Sequence, residues 1–207
     1  MLIADVVHFV KNILESHLII MKSATPAISK VPLFVYGTLL SPVVMESLMQ
    51  RRVYGHPVRL LPSSYVPSPT PFAQVSVTGS NKDLQYDYSR HPVRSAVYPG
   101  LVHWNANNDG EVINKTRDYV DGLLYNNLTD AEMKLLDDFE GDQYIKELCH
   151  VQLQQSKSID TIDRALYKED DAVQAMVYVW SHPLSELDLS KDWSYTTFEE
   201  QHLATYT

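Results

Sequence analysis

The stretch Leu33-Phe34-Val35-Tyr36-Gly37-Thr38-Leu39 constrains this chain more than any other. Val31, Leu33 and Val35 fall on one side of an extended segment, and Phe34 and Tyr36 on the other. Apolar residues on both faces suit a strand covered on both sides. Gly37 ends the run where the chain needs a positive φ or a close approach by another group. Ser41 and Pro42 follow as N-cap and first helical residue, and the helix continues through Val43, Val44, Glu46, Leu48 and Met49. A turn squeezed between strand end and helix start leaves backbone N–H groups free, and such groups attract carboxylates and oxyanions. Taken alone, a Tyr-Gly-Thr tripeptide equally suits a plain strand–turn–helix junction.

About a hundred residues later comes Leu136-Asp137-Asp138-Phe139-Glu140-Gly141-Asp142-Gln143-Tyr144. Thr129 and Glu132 form a capping-box pattern ahead of it. Ala131, Leu135, Leu136 and Phe139 supply a buried stripe, and Gly141 suits the position after the last helical residue. The pattern predicts a helix over 129–140 with Glu140 at its C-terminal end. The dipole there is negative and disfavours a further negative charge, and partial burial acts the same way. A carboxyl so placed trades protons near neutral pH. Asp137 and Asp138 leave the helix on other bearings. The competing reading is a solvated acidic face made of Asp137, Asp138, Glu140 and Asp142.

Other chemistries find little support. The formal net charge is −9, whereas nucleic-acid binding needs a basic surface. A single cysteine, Cys149, excludes an internal disulfide and a multi-cysteine zinc site. The eight histidines form no short metal pair such as His-Glu-x-x-His, and no Gly-x-Ser-x-Gly elbow is present. No metal and no cofactor are expected. No apolar run approaches the ~20 residues needed to cross a bilayer. Residues 1–30 read as an amphipathic helical extension and linker, with Val6, Val10, Ile13, Leu14, Leu18 and Met21 at helical spacing. They have no basic start or small-residue cleavage site, so a cytoplasmic location is expected. The remainder, 31–207, reads as one domain.

Within that domain, Arg51 and Arg52 sit where a helix ends and read as dipole partners. Residues 62–95 carry Pro62, Pro67, Pro69 and Pro71 and predict irregular backbone, with weak strands at 74–78 and 84–88. Such a long insert is often either functional or mobile. Residues 95–102 give a strand broken by Pro99-Gly100, hence an edge, bulge or turn. Residues 119–125 give a strand with Gly122 at a bend or bulge. Residues 143–154 alternate so that Ile145, Cys149, Val151 and Leu153 face inward, and 172–180 is strongly β. Trp193, Phe198 and Leu203 suggest a short docking helix in the tail.

These segments together resemble the γ-glutamyl cyclotransferase-like superfamily, and most of all its plant and fungal avirulence-induced-gene-like branch. The pieces that carry the resemblance are Phe34–Leu40, Ala96–Val102, Val120–Tyr125, Leu136–Tyr144 and Asp192-Trp193 through Phe198, in family order over about residues 31–205. The resemblance implies an α+β fold with a small mixed, barrel-like sheet and flanking helices. It implies that Tyr36, Gly37, Thr38 and Leu39 hold a γ-glutamyl head through backbone groups, that Glu140 is the acid/base, and that Tyr125 and Tyr144 are wall residues. The implied reaction is intramolecular: the α-amino nitrogen attacks the γ-carbonyl, releasing 5-oxoproline and a free amine. The implied partner is a small γ-glutamyl compound, with neither nucleic acid nor membrane; the released amine and the oligomeric state stay open. Lys146 stands where many relatives carry arginine, keeping the charge but not the planar fork. Two alternatives are a non-catalytic relative that binds a metabolite or protein, and an amidohydrolase using water in the same pocket.

Overall fold

The computed structural model describes residues 28–29, 31–65, 87–104, 119–154 and 172–205. The shortest strand, β1 (Leu33–Val35), sits at the centre of the fold. Both of its faces are buried, as expected of a strand apolar on each side. It pairs antiparallel with β5 (Asp121–Tyr125) and parallel with β7 (Ala172–Trp180). β2 (His56–Leu60) joins β5 to β6 (Tyr144–Leu153), and β6 pairs with β7. The result is a closed mixed barrel in the order β1-β5-β2-β6-β7. β3 (Tyr88–Pro92) and β4 (Pro99–His103) form a separate two-stranded sheet. Among the described residues, three α-helices accompany the strands: α1 (Pro42–Met49), α2 (Asp130–Glu140) and α3 (Tyr195–Gln201).

Strand alternation divides the core into two. Phe34, Val58, Leu124, Val151, Ala175 and Val177 fill the barrel with Cys149 beside them. Leu33, Val35 and Tyr125 point the other way, into a second cluster with Met45 and Leu48 of α1, Leu135 and Leu136 of α2, and Phe198 of α3. Gly122 makes no bulge. Its register with β2 is regular, and a Cβ there would stand 2.1 Å from the Val35 carbonyl oxygen. Close strand approach, rather than a bend, requires the glycine.

The helices expected within the described residues are present. Pro42 is the first residue of α1 and Ser41 its N-cap by position, although the Ser41 hydroxyl makes no cap hydrogen bond. Thr129 and Glu132 form the full capping box of α2, and Gly141 ends the helix at φ 70°. Arg51 differs from expectation: it is an ion-pair partner rather than a dipole partner. Its Nε and Nη2 donate to the Glu132 carboxylate at 2.6 and 3.0 Å, and Nη2 also reaches the Asn127 carbonyl at 2.9 Å. One carboxylate thereby ties the end of α1 to the start of α2.

Two strand expectations need correction. Ile145 is 51% exposed rather than inward-facing. β2 covers only Val151–Leu153 of β6, so the first half of β6 pairs with β7 alone and runs past the barrel. Residues 88–92 form β3 despite lacking an alternating apolar pattern, because their partner β4 supplies the ladder. The amphipathic extension up to Ala27, the possible strand at 74–78 and most of that at 84–88 lie outside the described residues.

Glu132→Ala removes the capping box and the Arg51 pair together. The expected loss is about 2 kcal/mol, since caps contribute ~0.5–2 kcal/mol and the half-exposed Arg51 regains water. Urea unfolding of the two proteins measures it.

Candidate active site

Gly37 turns the chain sharply out of β1. Its φ is −114°, so the left-handed region is not what the turn needs. A Cβ would instead stand 2.9 Å from Cγ and 3.0 Å from Cδ of Pro99. The glycine lets the first residue of β4 press flat against the turn. Thr38–Leu40 then make one 3₁₀ turn, closed by Leu40 N–H to the Gly37 carbonyl at 2.9 Å. Among the described residues, the N–H groups of Gly37, Thr38 and Leu39 have no hydrogen-bond acceptor. They form the start of a short helical turn, where such donors attract anions.

Beside this turn lies a narrow hollow of about 20 Å³, well below the ~300–1,000 Å³ of sites that enclose a drug-sized ligand. Tyr36, Gly37, Thr38 and Leu39 of the turn line it, together with Tyr98 and Pro99 and with Glu140, Tyr144 and Tyr178. Of the residues expected from sequence, the structure therefore brings Tyr36, Gly37, Thr38, Leu39, Glu140 and Tyr144 to one place. Tyr125 is a correction. It is 2% exposed and does not line the hollow. Alternation along β5 turns it toward the helices, where its ring packs over Gly55.

Sequence reasoning did not single out Tyr98 and Tyr178. Tyr178 lies in a strand whose apolar run hides which residues are site-facing. Tyr98 precedes Pro99 in a segment that reads only as a turn.

The hydroxyl protons of the wall are committed elsewhere. Tyr36 donates to the Tyr178 carbonyl at 2.8 Å, and Tyr144 to the Pro99 carbonyl at 2.8 Å. Tyr98 donates to Gln143 Oε1 at 2.9 Å, and Tyr178 to Asp137 Oδ1 at 2.6 Å. A phenol whose proton is held by the protein meets a ligand as an acceptor. Burial, together with the negative charge of Glu140, pushes the Tyr36 phenol well above its ordinary range, so it stays protonated.

Glu140 is the exception in this wall. Among the described residues nothing hydrogen-bonds its carboxyl. Desolvation first, and then the Asp137 charge one turn earlier, push its pKa to about 8. Asp137 is itself held by Lys146 Nζ at 2.8 Å. Lys146 thus meets the hollow only at second hand, through Asp137 and the Tyr178 hydroxyl. Among the described residues, no group of three or more His, Cys, Asp or Glu side chains could hold a metal ion. No described helix is long and apolar enough to cross a membrane.

The family model described as gamma-glutamyl cyclotransferase, AIG2-like, matches residues 33–195. The chain belongs to that family. AIG2-like protein D of Arabidopsis thaliana is 23% identical over 170 residues, covering 82% of this chain and 80% of the relative. A solution structure of an Arabidopsis thaliana protein superposes with a TM-score of 0.52 at 18% identity, covering 89% of this chain and 81% of that one. The likeness extends to the fold, a mixed barrel with flanking helices.

Two predictions follow from the packing and the charge. Gly37→Ala forces its methyl into Pro99 and is expected to cost ~1–3 kcal/mol, the usual range for overpacking. Pro99→Ala removes the opposing ring atoms, so the double variant recovers much of that loss in a denaturation cycle. The second concerns pH. An unfolded glutamate titrates near 4.5 and Glu140 near 8, so the fold binds this proton more tightly than the unfolded chain. Stability therefore declines as pH rises from about 4.5 through about 8. Glu140→Gln removes that decline, so the variant is expected to be more stable than the parent at pH 9 by roughly 2–4 kcal/mol, and similar at pH 4.5. Thermal melts across pH check this.

Proposed function

We propose that the chain is a γ-glutamyl cyclotransferase, converting a γ-glutamyl amine or γ-glutamyl amino acid to 5-oxoproline and a free amine. One observation carries the reading: a carboxyl and a turn of N–H groups, neither with a hydrogen-bond partner among the described residues, line the same small hollow. Family membership supports it at the coarser level of the reaction class.

The substrate head carries an ammonium, a carboxylate and a polarised carbonyl. The acceptor-rich wall of Glu140 and Tyr178 suits the ammonium, and the N–H groups of Gly37, Thr38 and Leu39 suit negative oxygen. The nucleophile is tethered to its target, so holding one folded conformer removes much of the entropic barrier. Ionised Glu140 takes a proton from the α-ammonium. The freed nitrogen attacks the γ-carbonyl carbon and closes a five-membered ring. The amide C–N bond then breaks as Glu140 returns the proton to the leaving amine, and the second proton, shed by the ring nitrogen as it becomes the lactam N–H, passes through the ionised Glu140 to the released amine. N–H donors at the turn stabilise the charge that builds on the carbonyl oxygen. The carboxyl of Glu140 is matched to this task, because a base near pH 8 is strong enough to deprotonate an ammonium yet readily gives the proton back.

Mass-spectrometric detection of 5-oxoproline from a panel of γ-glutamyl amino acids and γ-glutamylamines tests the reading. Glu140→Gln is expected to lose roughly 10²–10⁴-fold in turnover while still binding substrate. In the parent protein kcat/KM rises with pH and levels near about 8. Absence of turnover across the panel, or glutamate in place of 5-oxoproline, overturns it.

A further inference from the structure

Arg90 lies at the centre of β3, yet its guanidinium has no carboxylate within ion-pair distance among the described residues. Its Nη1 instead donates to the carbonyl oxygen of Tyr36 at 2.6 Å. The charged plane also lies 5.2 Å from the ring of Trp193, whose indole N–H is anchored on the Val97 carbonyl at 2.9 Å. A partly buried cation that takes a neutral carbonyl as its hydrogen-bond acceptor is unusual, because such charges are normally paired with carboxylates. The carbonyl it takes is the one immediately before Gly37.

That peptide unit is shared. The C=O of Tyr36 and the N–H of Gly37 belong to one planar trans amide and point in opposite directions. Fixing the carbonyl on Arg90 fixes the N–H on the far side, away from β3. Gly37 lines the hollow and Arg90 does not, so the far side is the hollow's side. A charge-assisted hydrogen bond to the carbonyl also draws electron density through the amide and strengthens the N–H as a donor. The same two-stranded sheet grips Tyr36 at its other end. Leu101, which pairs with Arg90 across the ladder, turns its N–H to the Tyr36 hydroxyl.

We infer that Arg90 is a positioning residue, which orients and polarises the Tyr36–Gly37 peptide so that the Gly37 N–H is presented to a bound anionic oxygen. Its effect on turnover presupposes the cyclotransferase reading; its effect on the amide does not.

The test uses both readouts. Only two Tyr-Gly pairs occur in the chain, Tyr36-Gly37 and Tyr54-Gly55. Labelling tyrosine carbonyls with ¹³C and glycine nitrogens with ¹⁵N therefore isolates the Gly37 amide, with Gly55 as an internal reference. In Arg90→Gln the Gly37 amide proton is expected to move upfield while Gly55 holds still. kcat/KM for 5-oxoproline formation is expected to fall roughly 10–100-fold, less than for outright loss of an oxyanion donor. Arg90→Lys keeps the charge without the fork, so it gives a smaller change of both kinds, and it serves alone if the glutamine variant does not fold. An unmoved Gly37 amide, or a moved amide with unchanged kcat/KM, overturns the assignment. If the parent protein turns over no γ-glutamyl compound, the cyclotransferase reading fails. The amide shift then decides the role of Arg90 by itself.

Discussion

The contact of the Gly37 turn with the Pro99 ring is the constraint on which the site depends. With no side chain at 37, β4 can start directly against the turn. That places Tyr98 and Pro99 at the edge of the hollow and Arg90, one strand over, on the Tyr36 carbonyl. The β3–β4 sheet is separate from the barrel, and it reaches the turn because one methyl group is missing at position 37.

Two glutamates on α2 show how position decides the chemistry of a carboxyl. Glu132 stands in the first turn, where the helix dipole and the free N–H groups favour a charge. It accepts from Thr129 N–H, Thr129 Oγ1 and Arg51, and its pKa lies below the ordinary value because these bonds outweigh its desolvation. Glu140 stands in the last turn, where the dipole opposes a charge and no described residue hydrogen-bonds its carboxyl. Burial then dominates, and its pKa moves the other way. Asp137, one turn earlier on the same helix and pinned by Lys146 and Tyr178, is a second negative influence.

The features legible from sequence were those with local causes. Thr129, Glu132 and Gly141 bound α2 because caps act over three or four residues. Residues 172–180 are β-rich throughout, and Glu140 could be assigned to a helix end from spacing alone. What escaped was set by distant partners. β3 has little strand pattern of its own and forms against β4. Ile145 obeys the right alternation but lies on a part of β6 that β2 does not reach. Tyr125 carries an aromatic ring of the kind pockets use, yet the face it occupies depends on the register of β5 in a closed barrel. Arg90 gave no signal at all, since its partner is a backbone oxygen 54 positions earlier in the chain. Gly37 was legible as a special position, but the group that approaches it was not.

Barrel closure by β1 has a consequence for the order in which the molecule can assemble. Leu33 pairs in parallel with Met176, and Phe34 with Val177, so the first barrel strand meets its final neighbour only after most of the chain has been made. Pairings this far apart form late, because the entropy of closing a long loop must be met before the contact repays it. During synthesis the Tyr36–Leu39 segment therefore leaves the ribosome long before β7 can complete the barrel around it. Competence to bind would arise in one late step, with the docking of nine C-terminal strand residues, rather than growing gradually along the nascent chain.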